Sequence, residues 1–228
     1  MNYVVMMSTN IMAKANRVYK TKVPVTKNQQ VEAEVVDITY QGMGVIKIDN
    51  FPIFVIDAIP GEVVQVGITK VLKSYAFGRV IKRVKASPNR AENVDKVAIT
   101  TGIAPLANLK YEAQLTFKQR QVEQLFKKVN VSVEVNPTIG MTDPTKYRNK
   151  AQVPVQMVNG QLETGFYRRG SHKLMPVEDF YIQDPKVDEA VSVTRDVLRD
   201  LGISAYDEET HKGVVRHIMA RRGDRKST

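Results

Sequence analysis

Apolar and polar positions alternate from Val31 onward. Val31, Ala33 and Val35 fall on one side of the alternation and Glu32 and Glu34 on the other, the period of a half-buried strand. Strand-sized apolar runs follow at 44–49, 53–56, 62–71 and 77–84. Gln41-Gly42-Met43-Gly44, Asp49-Asn50 and Ile59-Pro60-Gly61 punctuate them with turn chemistry, and Ser87-Pro88-Asn89 closes the unit. Five short strands without a helical period predict a small closed barrel, because an open sheet of that size would leave both edges unpaired.

The period changes at Tyr111. Leu115, Val122, Leu125, Phe126 and Val129 share a face at helical spacing, with Lys118, Arg120, Lys127 and Lys128 outside, and predict a helix over 111–130. Strand patterns return at 131–135, 151–158 and 161–166. Asn159-Gly160 joins the last two and suits a two-residue hairpin turn. Asp184-Pro185 opens a second helix, with Val187, Ala190, Val191, Thr194, Val197, Leu198 and Leu201 as its apolar face and Gly202 at its end. Residues 214–220 read as a further strand. The expected fold class is α+β. A five-stranded OB-like barrel spans residues 29–86 and a mixed α/β domain spans 87–228. Residues 1–28 precede them as a basic arm without periodicity, read as partly disordered.

Composition narrows the chemistry. Of 228 residues, 43% are apolar and 25% charged, a globular balance. The absence of cysteine rules out a disulfide scaffold, a thiol nucleophile and any metal or iron–sulfur site built on Cys. No apolar run approaches the roughly 18 residues of a membrane span. The apolar patch at 3–7 has no basic residue before it, unlike a signal peptide, so the expected compartment is the cytoplasm and no membrane partner is expected. Lys and Arg number 34 against 24 acids, a net charge of +10. Residues 14–27 and 70–90 are basic with no acid, and the tail from Arg216 holds a single acid, Asp224. One such run is ordinarily a solvated face. Three in a short chain favour a polyanion, RNA above all.

No cofactor loop is found: no GxGxxG follows a strand and no GxxxxGK[ST] occurs. Gln41-Gly42-Met43-Gly44 precedes no helix and reads as a hairpin turn. His172, His211 and His217 lack metal-ligand spacing, and adjacent Glu178 and Asp179 would face opposite ways on a strand. No catalytic set and no metal site are therefore assigned. Three basic and aromatic groups are assigned to RNA instead. Lys70, Lys73, Tyr75 and Arg79 form a strand–loop–strand corner, with Phe77 expected in the core. Tyr147, Arg148 and Lys150 lead into one strand, and Tyr167, Arg168 and Arg169 leave another. Pairing across Asn159-Gly160 is expected to bring Lys150 and Tyr167 together.

These residues carry a resemblance. Residues 29–85 resemble a TRAM domain, a small RNA-binding barrel, through the run from Val35 to Val45, Ile59-Pro60-Gly61-Glu62 and Phe77-Gly78-Arg79-Val80. The stretch C-terminal to this barrel resembles the central domain of bacterial RNA (uracil-5-)-methyltransferases. The matching motifs are Tyr111-Glu112-Ala113-Gln114-Leu115, Lys118-Gln119, Tyr147-Arg148-Asn149-Lys150-Ala151, Gly165-Phe166-Tyr167-Arg168-Arg169 and Gln183-Asp184-Pro185. The 23S ribosomal RNA enzymes of Gram-positive bacteria look most similar. Many of that family carry a cysteine cluster, including a CGGC, that holds an iron–sulfur centre. Thr101-Gly102-Ile103-Ala104 and a position near Phe180 stand there in this chain, so no iron–sulfur cluster is expected and apolar packing replaces it.

The resemblance implies the RNA-recognition half of an S-adenosylmethionine-dependent 23S rRNA (uracil-5-)-methyltransferase, with no S-adenosylmethionine site in this chain. The family's Rossmann-like catalytic domain, with its Cys nucleophile and Glu base, would lie beyond residue 228. The chain alone is expected to be inactive. RNA is the expected partner and a monomer the expected state. The alternative is a stand-alone RNA-binding protein without enzymatic activity.

Overall fold

The computed structural model describes residues 23–223. The first sheet contains β1 (Gln30–Glu34), β2 (Asp37–Ile38), β3 (Met43–Ile48), β4 (Phe51–Ile56), β5 (Val63–Val71) and β6 (Ala76–Lys85), in the order β1-β5-β6-β4-β3-β2. Neighbours are antiparallel except β4 and β6, which run parallel. Six strands stand where five were expected, because the first is bent. At Val35-Val36 the chain turns from one edge of the sheet to the other. The Val35 N–H donates to the Glu62 carbonyl at 2.8 Å and the Val36 N–H to that of Val45 at 2.9 Å. Thus β1 pairs with β5, β2 pairs with β3, and the bend curls the sheet on itself, which removes the open edges.

Alternation fills the interior with Val35, Ile46, Ile53, Val55, Val64, Val66 and Ile68, all essentially inaccessible. Each such burial is worth about 1.5–3 kcal/mol. Val25 joins this core and the Asn28 N–H donates to the Ile68 carbonyl. At the end of the expected arm of 1–28, Val23 and Val25 pack on the sheet while 26–28 are exposed, and residues 1–22 lie outside the described residues.

The expected hairpin turn at Gln41-Gly42 forms with Gly42 at φ 72°. A Cβ there would sit 1.7 Å from the carbonyl oxygen of Pro105, across the junction with the second lobe. Both the left-handed backbone and the close approach require glycine. Gly42→Ala is expected to cost about 2–4 kcal/mol, the sum of left-handed strain and overpacking, in urea unfolding. A near-zero loss would mean that turn and Pro105 part freely.

The second lobe begins with α1 (Lys96–Thr101), which no apolar periodicity announces. It is one short turn set by Asp95, whose carboxylate accepts from the Val97 and Ala98 N–H groups, and it ends at Gly102. Then come α2 (Tyr111–Lys128), β7 (Lys150–Val158), β8 (Gln161–Tyr167), β9 (Leu174–Pro176), α3 (Pro185–Asp200) and β10 (His217–Arg221). The sheet order is β10-β7-β8-β9, and α3 packs on it over Ala151, Val153, Val155, Leu162 and Ile218. Asn159 (φ 52°) and Gly160 (φ 84°) make the two-residue turn.

Three expectations change in this lobe. The buried face of α3 is Val187, Asp188, Val191 and Arg195, while Ala190, Thr194, Val197 and Leu201 face out. Asp188 accepts hydrogen bonds from the Phe180 N–H and the Gln183 amide, and Arg195 pairs with Glu178 at 2.6 Å, so the polar groups are satisfied where an apolar face was expected. Helix α2 stops at Lys128 and buries none of its residues. Residues 131–135 form no strand.

The lobes meet through Ile38, Ile59 and Leu109, flanked by Phe117 of α2. Where the resemblance places an iron–sulfur centre, Ile103, Ala104 and Phe180 share one apolar cluster with Ala98 and Ile182.

Candidate nucleic-acid interface

Register assembles the first group. Across the outward face of the curled sheet, Val45 of β3 stands opposite Phe54 of β4, Phe54 opposite Phe77 of β6, and Phe77 opposite Lys70 of β5. Tyr75, at the entrance to β6, completes a triangle: Phe54–Tyr75, Tyr75–Phe77 and Phe54–Phe77 centroids lie 5.6, 5.5 and 6.0 Å apart. Tilted and edge-to-face geometry fixes the rings against one another. All three are half-buried. Phe77 is thus corrected from core to surface, because Ala76 and Gly78 take the inward positions. Lys70 stands opposite Phe77, Lys73 lies two residues before Tyr75 and Arg79 two residues after Phe77; all three are exposed and without an ion pair among the described residues.

A buried ion network braces the strands that carry these rings. Glu62, fully buried just before β5, receives Arg90 Nε at 2.5 Å and Nη2 at 2.9 Å, and Arg83 Nε of β6 lies 2.8 Å from the same carboxylate. Asp57, after β4, pairs with Arg90 at 3.0 Å. Burial pushes the Glu62 carboxyl up. Arg90, the Ile59 N–H and the charge of Arg83 outweigh that and hold it below the usual carboxylate range. Burial likewise disfavours the Arg90 charge, and the hydrogen bonds to Glu62 and Asp57 more than restore it.

The second group lies at one end of the second sheet. The Arg148 backbone is clamped, its N–H donating to the Ile182 carbonyl and its carbonyl accepting from Asp184. Its side chain is exposed, with Nε donating to the Lys150 carbonyl at 3.0 Å, and Tyr147 is exposed beside it. Lys150 stands directly opposite Arg221 of β10. Like charges facing across a ladder cost stability, so this arrangement is a cationic edge held against repulsion. Arg221 was not among the expected contacts; only the acid-poor tail hinted at it.

The expected meeting of Lys150 and Tyr167 does not occur. The β7–β8 ladder runs only from Val158–Gln161 to Val155–Thr164, and Tyr167 pairs with Leu174 of β9. Tyr167 and exposed Arg168 instead sit at the β8–β9 turn, where the Tyr167 ring packs edge-on against His172 at 6.2 Å. Burial and the charge of Glu208 push the Tyr167 phenol up, so it stays a neutral donor near pH 7.

Arg169 takes a third place. Its N–H donates to the Thr100 carbonyl, and its Nη2 donates to the Gln41 carbonyl at 2.9 Å, across the junction of the lobes. Its half-buried guanidinium lines a cleft with Tyr40, Met43, Ile56 and Phe77, so the aromatic face of the first lobe runs into this junction.

Comparison with known proteins agrees with this architecture. A model of the TRAM domain matches residues 24–81. An uncharacterized RNA methyltransferase of Lactiplantibacillus plantarum is 54% identical over 205 residues, covering 90% of this chain and 45% of that protein. One from Enterococcus faecalis is 45% identical, covering 88% of this chain and 44% of its own length. The crystal structure of Pyrococcus abyssi tRNA (uracil-54, C5)-methyltransferase in complex with S-adenosyl-L-homocysteine shares the fold. Its TM-score is 0.62 at 20% identity, over 86% of this chain and 43% of that one. The chain therefore spans less than half the length of the curated relatives it matches. Residues 24–81 thus carry a TRAM domain, and nine-tenths of the chain is similar to part of proteins named RNA methyltransferases.

Proposed function

We propose that this chain grips RNA for a uracil-5-methyltransferase acting on ribosomal RNA, 23S rRNA in particular. Methyl transfer from S-adenosylmethionine would be carried by the portion of the relatives that this chain does not span. The observation that carries the reading is the Phe54–Tyr75–Phe77 triangle, with exposed Lys70 opposite Phe77 and exposed Lys73 and Arg79 beside Tyr75 and Phe77 in the chain. Aromatic faces accept unstacked bases and the cations neutralise phosphates, the combination that single-stranded RNA recognition uses. A target uridine must leave its stack to be methylated, so a platform that holds neighbouring bases unstacked assists that chemistry. Arg148, Lys150, Arg168 and the aromatic rings of Tyr147 and Tyr167 extend the grip on the second lobe. Arg169 joins the lobes at the junction and fixes their spacing. The TRAM domain over 24–81 and the second lobe beyond it then act as one RNA-binding body.

Gln41-Gly42 turns the chain into β3 and opens no helix, so no glycine-rich loop meets a helix N-terminus there. Binding of ribosomal RNA fragments against salt tests the proposal. The double variant Arg148→Ala/Lys150→Ala is expected to flatten the slope of log affinity against log salt by about 1–2 units. An unchanged slope removes that edge from the interface. Methylation of RNA by this chain alone, read with labelled S-adenosylmethionine, would overturn the division of labour.

A further inference from the structure

Helix α2 is bare along most of its length. Its first turns lean on the lobe junction through Ala113 and Phe117. Beyond them Val122, Leu125, Phe126 and Val129, spaced as one stripe, stand in solvent, with Leu125 62% and Val129 66% exposed. The adjoining segment, Val131-Ser132-Val133-Glu134-Val135, has the alternation and β-branching of a strand. It has no partner strand. Among the described residues, 132–145 make no backbone–backbone hydrogen bond. Nor is the segment loose. Gln119 Nε2 donates to the Val135 carbonyl at 2.9 Å, Thr138 Oγ1 to the Leu115 carbonyl at 3.0 Å, and the Met141 N–H to the Tyr111 hydroxyl at 2.8 Å. Helix and segment are thus fastened side by side.

A bare apolar stripe and an unpaired strand former in one fastened unit have a common solution. An open sheet edge would take the segment as an added strand, and the adjoining sheet face would take the helix stripe. The first sheet of this chain is curled on itself, and the second pairs β10 and β9 at its ends without calling on 131–135. More than half of each curated relative lies outside the region this chain matches. We propose that α2 and residues 131–135 are the docking surface for that remaining portion, which presents an α/β sheet with an open edge. Lys127 and Lys128 at the end of the stripe call for acidic groups on the partner's rim. The inference rests on the reading that the remaining portion works with this chain, but not on RNA binding.

Hydrogen exchange of this chain and of the full-length Lactiplantibacillus plantarum relative provides the test. Amides over 122–135 are expected to exchange at least about tenfold slower in the relative than here. Equal exchange overturns the proposal. In a second measurement, the full chain is co-expressed with the relative's unmatched portion. Wild type is expected to co-purify with it, and Leu125→Asp and Val129→Asp to weaken the association at least about tenfold, while both variants keep wild-type RNA affinity. Undiminished association of both variants overturns the proposal. So does a mass by light scattering showing that the stripe joins two copies of this chain, or binding of the stripe to anionic vesicles in place of the partner. Loss of RNA affinity in wild type would strike the functional reading alone.

Discussion

Arg90→Ala is expected to lower the unfolding free energy by about 3–5 kcal/mol, a large share of what a domain of this size holds. The reason is the asymmetry of buried charge. Glu62 is fully buried, and Arg90 supplies two of its hydrogen bonds. Without Arg90, the carboxylate keeps its desolvation penalty and loses its main compensation, with only Arg83 and the Ile59 N–H left beside it. Chemical denaturation followed by circular dichroism reads the loss. A change under about 1 kcal/mol would show that Arg83 or water replaces Arg90.

The same pair sets an acid limit. The Glu62 carboxyl is held below its ordinary value in the folded state, so the unfolded chain takes up the proton first. The contribution is complete above about pH 4.3 and drains as pH falls through the folded-state value. Glu62→Gln should remove that part of the acid dependence while lowering stability at neutral pH.

The second large effect concerns RNA. Tyr75→Ala/Phe77→Ala is expected to weaken binding of an unpaired ribosomal RNA strand by about 1–3 kcal/mol per base stacked, roughly five- to more than a hundredfold for one base. The salt slope should stay constant, because no phosphate contact is removed. Lys70→Ala/Arg79→Ala should do the reverse, flattening the slope by about 1.4 units for single-stranded RNA at two contacts. Fluorescence anisotropy across a salt series separates the two effects. Identical affinity in the aromatic double variant would sink the platform. Because Phe54 stays in place, and Tyr75 and Phe77 lie outside the sheet's interior, the fold should survive.

The curled sheet was largely legible because valine and isoleucine alternate against turn residues whose backbone needs are narrow. Its bend was not. Val35-Val36 reads as a strand continuing, and only the hydrogen bonds to Glu62 and Val45 reveal the change of partner. Phe77 misled for a related reason. A large aromatic invites a core assignment, yet the tight interior takes Ala76 and Gly78 and turns the ring outward. On α2 the stripe itself was visible, but periodicity cannot say whether a stripe is covered. The Lys150–Arg221 pairing is long-range and leaves no local signal. Arg168 and Arg169 are chemically identical neighbours. Tertiary contact alone sends one to solvent and the other to the Gln41 carbonyl.

The bend at Val35-Val36 makes one stretch of backbone serve both seams of the curled sheet. The two seams cannot melt separately. Release of this stretch would strip β5 of β1 and β3 of β2 in one event, so the amides of those two seams should share a single opening free energy. A backbone ester placed at Val36, deleting the N–H that reaches Val45, would weaken the clasp of the whole ring.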